Sequence, residues 1–142
     1  MRKLIVSINS TANDIVTGPP SDKTNIGLWT NLELWTKAKI KDKLPPLLEV
    51  MESVDTILLG RATYEDLVRK WPRVKGGSTT AISRLAEKVN TTPKIVVSGE
   101  HPVKNLKWGK HEPPTQLVGP DIEAQIKALK EADGGNIMTF GS

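Results

Sequence analysis

The segment Ile57-Leu58-Leu59-Gly60-Arg61-Ala62-Thr63-Tyr64-Glu65 indicates the fold class, because an apolar run, a glycine and good helix formers follow one another without a gap. Residues 56–59 are compact and apolar, which predicts a buried strand. The good helix formers at residues 61–71 predict a helix, and Pro72 is expected to end it. A strand that leads straight into a helix is typical of α/β proteins.

The start of this helix is a candidate phosphate site. Gly60 would let the backbone turn closely, and the first turn of the helix would offer N–H groups that lack a partner. Arg61 adds a permanent cation that can fork onto phosphate oxygens, and Thr63 adds a hydroxyl. The alternative is purely structural: Gly60 ends the strand, Arg61 pairs with Glu65, and Thr63 is a local cap.

The rest of the chain repeats this alternation of strands and helices. Further strands are predicted at residues 3–9, 94–98, 116–118 and 136–140. Further helices are predicted at residues 31–40, from Pro45-Pro46 through Val54, after a Ser78 cap, and between an Asp121 cap and Gly134-Gly135. Right-handed connections between such strands predict an α/β fold, a three-layer αβα domain with a mostly parallel twisted sheet.

The composition indicates a single domain spanning residues 1–142. With 37% hydrophobic residues the chain can bury one core, and it is too short for two ordinary domains. No apolar run approaches the length of a membrane span and there is no cysteine, so we expect a cytoplasmic protein without a membrane partner. The Lys and Arg residues behind the net charge of +4 are scattered, so we expect no nucleic-acid partner.

The carboxyl ends of the predicted strands are where a ligand would lie in a parallel sheet, and two of these ends read Ser98-Gly99 and Gly119-Pro120. Ser98 ends the strand at residues 94–98 and could donate to a second phosphate, although a serine after a strand is more often part of a turn. His101 and His111 have no further ligand at metal spacing, so we expect no metal site.

Several pieces of the sequence, in their order and spacing, resemble the dihydrofolate reductase-like family, in particular the reductase domain of bifunctional riboflavin-biosynthesis deaminase-reductases. The resemblance covers nearly the whole chain. The pieces that carry it are KLIVS at residues 3–7, ILLGRATYE at 57–65, KIVVS at 94–98, LK at 129–130 and GGNIM at 134–138.

The resemblance implies that NADPH is the hydride donor. It implies that phosphate is held by Gly60, Arg61 and Thr63, and that Ser98 lies near the adenosine ribose and its 2′-phosphate. Gly141 and Ser142 would match the glycine-containing turn that the family places against the pyrophosphate. In such enzymes the cofactor carries the chemistry, while the protein orients it and supplies a proton.

The resemblance also implies that the loop after the first strand, with Asp14, faces the nicotinamide and a small-molecule substrate. Asp14 would orient substrate or relay a proton, whereas the structural alternative is an Asx turn. Trp29, which follows this loop, is a candidate for stacking on a planar substrate ring, and the alternative is core packing.

The family continues past the position of Gly141 and Ser142 with a helix and further strands. We therefore expect this chain either to bind NADPH weakly or to compensate by forming a homodimer through an uncovered sheet edge. The leading function is an NADPH-dependent reductase of a small pterin- or pyrimidine-like heterocycle. Two alternatives are a catalytically impaired nucleotide-binding or interaction module, and an unrelated flavodoxin-like domain that does not use Arg61 and Ser98 together.

Overall fold

The computed structural model describes residues 2–7, 44–74 and 81–140. Within these ranges five strands form one sheet in the order β1-β5-β2-β3-β4, and every neighbouring pair is parallel. The strands are β1 (Leu4–Ser7), β2 (Val54–Gly60), β3 (Lys94–Gly99), β4 (Thr115–Val118) and β5 (Asn136–Phe140). The prediction of an α/β fold with a parallel sheet is confirmed. The helix predicted at residues 31–40 and the Ser78 cap lie outside the described residues.

Four α-helices and one short 3₁₀ helix accompany the sheet in the described ranges. They are α1 (Leu44–Glu52), α2 (Arg61–Val68), the 3₁₀ helix Trp71–Arg73, α3 (Ala81–Thr91) and α4 (Ile122–Glu131). Strands β2, β3 and β4 follow one another toward one edge of the sheet, whereas the connection from β4 to β5 runs back in the opposite direction. Right-handed connections then place α4 on the face opposite α2 and α3, which is consistent with three layers. None of these described helices is long and apolar enough to cross a membrane.

The main core lies between the sheet and the layer that contains α1, α2 and α3. Alternate residues of β3 are buried, as the two-residue period of a strand requires. The helical spacing of Leu85, Ala86 and Val89 predicts one apolar face for α3, and all three residues are buried. On the other face, the apolar positions of α4 are only half-buried. The largest fully buried side chains include Trp71, Trp108, Met51, Ile57, Leu59, Leu67 and Met138.

Two predicted helix boundaries are wrong. Helix α1 ends at Glu52, because Val54 already belongs to β2. Helix α2 ends at Val68 instead of continuing through residue 71, and the chain then tightens into the 3₁₀ helix, whose second residue is proline. Asp121 occupies the predicted N-cap position of α4, but it makes no side-chain cap hydrogen bond, because its backbone (φ −93°, ψ 27°) is outside the extended region that an N-cap residue adopts.

A charged cluster ties together the amino ends of β1, β2 and β5. The buried guanidinium of Arg2 donates to the carboxylate of Asp55, to Thr56 Oγ1 at 2.7 Å and to the Gly135 carbonyl oxygen at 2.8 Å. The Gly135 N–H donates in turn to Asp55 Oδ2 at 2.6 Å. Partial burial acts to raise the pKa of Asp55, but the hydrogen bonds from Gly135 and Thr56 and the charge of Arg2 together lower it below 3.8.

A Gly135→Ala substitution is expected to lower the free energy of unfolding by about 1–3 kcal/mol, the usual cost of overpacking. A Cβ at this position would lie 2.8 Å from the Ser53 carbonyl oxygen. That oxygen cannot easily move away, because it accepts the Asn136 N–H at 2.8 Å. Urea unfolding measures the loss, and Gly60→Ala is the control, since a Cβ at Gly60 meets nothing within 4 Å. Equal stabilities of the two variants would contradict this prediction.

Candidate functional site

Glycines mark the carboxyl ends of three adjacent strands. Gly60 ends β2, Gly99 ends β3, and Gly119 directly follows β4. The Gly119 N–H donates to the Gly99 carbonyl oxygen at 3.1 Å, which joins the ends of β3 and β4. A Cβ built on any of the three would meet no atom within 4 Å. The three glycines therefore border open space at the edge of the sheet where parallel-sheet proteins bind ligands.

The reason for glycine differs among these positions. Gly99 and Gly119 have φ values of 61° and 94°, which side chains other than glycine rarely adopt. Gly60 has φ −69° and ψ 158°, an extended conformation open to any residue. The expectation that Gly60 is needed for a close backbone turn is therefore wrong. What glycine provides at this position is space, because a side chain would project into the open region.

Helix α2 begins at this edge without a side-chain cap. Its N-cap residue is Gly60, which has no side chain to bond the N–H groups of the first turn. These N–H groups and the positive end of the helix dipole favour an anion at this position. Thr63 lies in the same first turn and is half-buried.

Arg61 is exposed and extends across the end of the sheet to the chain that follows β3. Its Nη1 donates to the His101 carbonyl oxygen at 2.9 Å, and its Nε donates to Glu65 Oε1 at 3.2 Å. The pairing of Arg61 with Glu65, which was the structural alternative at the sequence level, is present. Because both side chains of this ion pair are nearly half-exposed, the pair contributes no more than about 1 kcal/mol. The bond to His101 has the separate effect of directing the guanidinium toward β3.

Ser98 is buried, and its hydroxyl already has a protein partner. Its Oγ donates to Gln116 Oε1 at 2.9 Å, and Gln116 also accepts the Val103 N–H and donates to the Val103 carbonyl oxygen. The Ser98 carbonyl oxygen accepts the His101 N–H at 3.3 Å. Ser98 and Arg61 are therefore brought to the same edge through His101, but the hydroxyl of Ser98 is directed at Gln116.

Four further residues predicted at the site, Asp14, Trp29, Gly141 and Ser142, lie outside the described residues. Of the predicted set, the structure brings together Gly60, Arg61 and Thr63 at the start of α2, with Ser98 on the adjacent strand. Gly99 and Gly119 lie at strand ends where the sequence places a ligand, although neither was assigned a contact with it. The His101 carbonyl oxygen was not predicted, because nothing in the sequence marks a backbone carbonyl.

A cavity that the sequence does not indicate lies at the opposite, amino edge of the sheet. It has a volume of about 170 Å³, and Thr92, Lys94, Glu112 and Thr115 are among the residues that line it. The cavity is thus separate from the open region beside Gly60. The sequence predicts Lys94 only as the first residue of a strand, because the local sequence does not show that this lysine is buried.

Comparison with known proteins does not identify a family for this chain. No protein-family model matches it, and no curated protein matches it.

Proposed function

We propose that the chain binds NADPH at the carboxyl edge of β2, β3 and β4 and reduces a small pterin- or pyrimidine-like heterocycle. The observation that carries the proposal is the open region bordered by Gly60, Gly99 and Gly119, with the uncapped start of α2 and the guanidinium of Arg61 beside it. The resemblance to the dihydrofolate reductase-like family supports NADPH over other phosphorylated ligands, and the parallel sheet agrees with the fold that it implies.

The residues present fit a phosphate group. The absence of a Cβ at Gly60 lets an anion approach the first-turn N–H groups of α2, which is how helix starts bind phosphate. Arg61 would exchange its weak exposed pair with Glu65 for a charge-assisted bond to phosphate, which is worth about 1.5–3 kcal/mol. The bound cofactor would supply the hydride, and the protein would hold its phosphates and orient it.

Arg61→Ala is expected to weaken NADPH binding about tenfold, which corresponds to the loss of about 1.4 kcal/mol from one charge-assisted contact. The measurement is a titration of NADPH and of NADH into the purified chain, followed by quenching of tryptophan fluorescence. The matched control is Arg69→Ala, which removes the same charge from an exposed residue just beyond the other end of α2.

Tighter binding of NADPH than of NADH, with a loss specific to Arg61→Ala, would support the cofactor site. Equal affinities of the wild type and Arg61→Ala would remove the site assignment. Turnover is tested separately by NADPH oxidation with dihydrofolate and with a pyrimidinone substrate. Saturable binding without turnover of either compound would favour the nucleotide-binding module over the reductase.

A further inference from the structure

A buried lysine, Lys94, lines the cavity at the amino edge of the sheet, together with Asn90 and Thr92, whose carbonyl oxygens accept from its amine. Lys94 begins β3, and the whole residue is only 5% exposed. The cavity volume of about 170 Å³ is room for about five water molecules, and therefore for a small organic molecule. The carboxylate of Glu112 on the cavity wall offsets the charge of the Lys94 ammonium, so the cavity suits a guest without net charge.

The amine of Lys94 is held at a fixed position. Its Nζ donates to the Thr92 carbonyl oxygen at 2.8 Å and to the Asn90 carbonyl oxygen at 3.2 Å, both at the end of α3. The same atom lies 4.5 Å from the centroid of the Trp108 ring. A neutral amine can keep both carbonyl contacts with its two N–H groups, which leaves its lone pair as the remaining tetrahedral position.

Burial lowers the pKa of Lys94 from 10.5 to about 8, while the charge of Glu112 acts to raise it. At pH 7 roughly a tenth of Lys94 amines are then neutral, against fewer than about one in a thousand for an ordinary lysine. A desolvated lysine of this kind is a nucleophile at neutral pH. One structural role is also evident, since the ammonium satisfies carbonyl groups at the end of α3.

We propose that Lys94 forms a reversible imine with a small neutral aldehyde or ketone that enters this cavity. The lone pair of Nζ bonds to the carbonyl carbon, and a proton from nitrogen passes to the oxygen to give a carbinolamine. A second proton loss from nitrogen accompanies departure of the hydroxyl as water, and the C=N bond forms. No oxidant or reductant takes part, and hydrolysis by water reverses the sequence.

The test is reductive trapping of the folded chain with propanal and sodium cyanoborohydride at pH 7, followed by peptide mass mapping. Lys104 and Lys107 are exposed lysines in the same chain and serve as internal references. We expect Lys94 to gain its propyl group at least about tenfold faster than either reference, because more of its amine is neutral. Circular dichroism confirms that the chain stays folded. Labelling of Lys94 at the rate of the exposed lysines or slower would overturn the proposal.

Two further arms separate imine formation in the cavity from general reactivity. Glu112→Gln removes the charge that acts to raise the pKa of Lys94, so labelling of Lys94 at pH 7 should become several-fold faster. Pyridoxal 5′-phosphate is too large and too negatively charged for the cavity, so it should label Lys104 and Lys107 in preference to Lys94. Unchanged labelling in Glu112→Gln, or preferential capture of pyridoxal phosphate by Lys94, would contradict the proposed route through this cavity.

Discussion

Trp108→Ala is expected to lower the free energy of unfolding by about 3–5 kcal/mol, the range for removing a fully buried large aromatic side chain. Trp108 is 0% exposed, and its indole N–H donates to Asn90 Oδ1 at 2.7 Å. Its ring also contacts the ammonium of Lys94 and lies 6.3 Å from the ring of Tyr64. The substitution therefore leaves a cavity, an unpaired amide oxygen and a buried cation that loses its aromatic neighbour.

Urea unfolding with circular dichroism measures this loss, and Trp108→Phe separates its two main causes. Phenylalanine keeps most of the apolar volume but cannot donate to Asn90, so the loss should be smaller, about 1–3 kcal/mol. If the free energy of unfolding of Trp108→Ala were within about 1 kcal/mol of the wild-type value, the segment between β3 and β4 would not contribute to the packing of the core.

Arg2→Met is expected to lower the free energy of unfolding by about 2–4 kcal/mol at pH 7. Methionine preserves the apolar length of the side chain but removes the donors that satisfy Thr56 and the Gly135 carbonyl oxygen. Nearly half of the Asp55 side chain is exposed, so water screens the charge that remains and keeps the loss below that of a fully buried pair.

The loss in Arg2→Met should also depend on pH. The pKa of Asp55 is lowered in the folded state, so its ionised form stabilises the fold above the ordinary value of 3.8. That contribution disappears as the pH falls through the folded pKa. Unfolding at pH 7 and at pH 3 should therefore show a smaller difference between wild type and Arg2→Met at the lower pH. Asp55→Asn is the control, and it should remove most of this dependence. An unchanged difference at pH 3 would show that Arg2 acts through its neutral acceptors alone.

The local elements could be predicted because their signals are local. Apolar runs bounded by glycine or proline mark β2 and β5, and the helical spacing of Leu85 and Val89 identifies the buried side of α3. The boundary errors at α1 and α2 arose where a buried residue, Val54 or Trp71, suits both the predicted helix and the element observed there.

The order of the strands could not be predicted from the sequence. The contact between Arg61 and the His101 carbonyl oxygen and the burial of Lys94 could not be predicted either. Nothing near residues 136–140 indicates that β5 lies between β1 and β2. Which strands pair depends on how the side chains of the whole sheet pack, and the local sequence does not show this. Gly60, Arg61 and Thr63 lie within four residues of the chain, so the sequence predicts that they lie together. The contact of Arg61 with the His101 carbonyl oxygen depends on a loop path, and the burial of Lys94 depends on where α3 ends.

The position of β5 between β1 and β2 also governs the order of events during synthesis. Leu4 pairs with Ile137 and Thr56 pairs with the same residue, so neither β1 nor β2 can complete its ladder until the ribosome has released residues 136–140. A nascent chain that ends before these residues exposes two strand edges, which are sites of aggregation. Completion of the sheet therefore waits until residues 136–140 have emerged, and a chaperone that shields β2 meanwhile would raise the yield of folded protein.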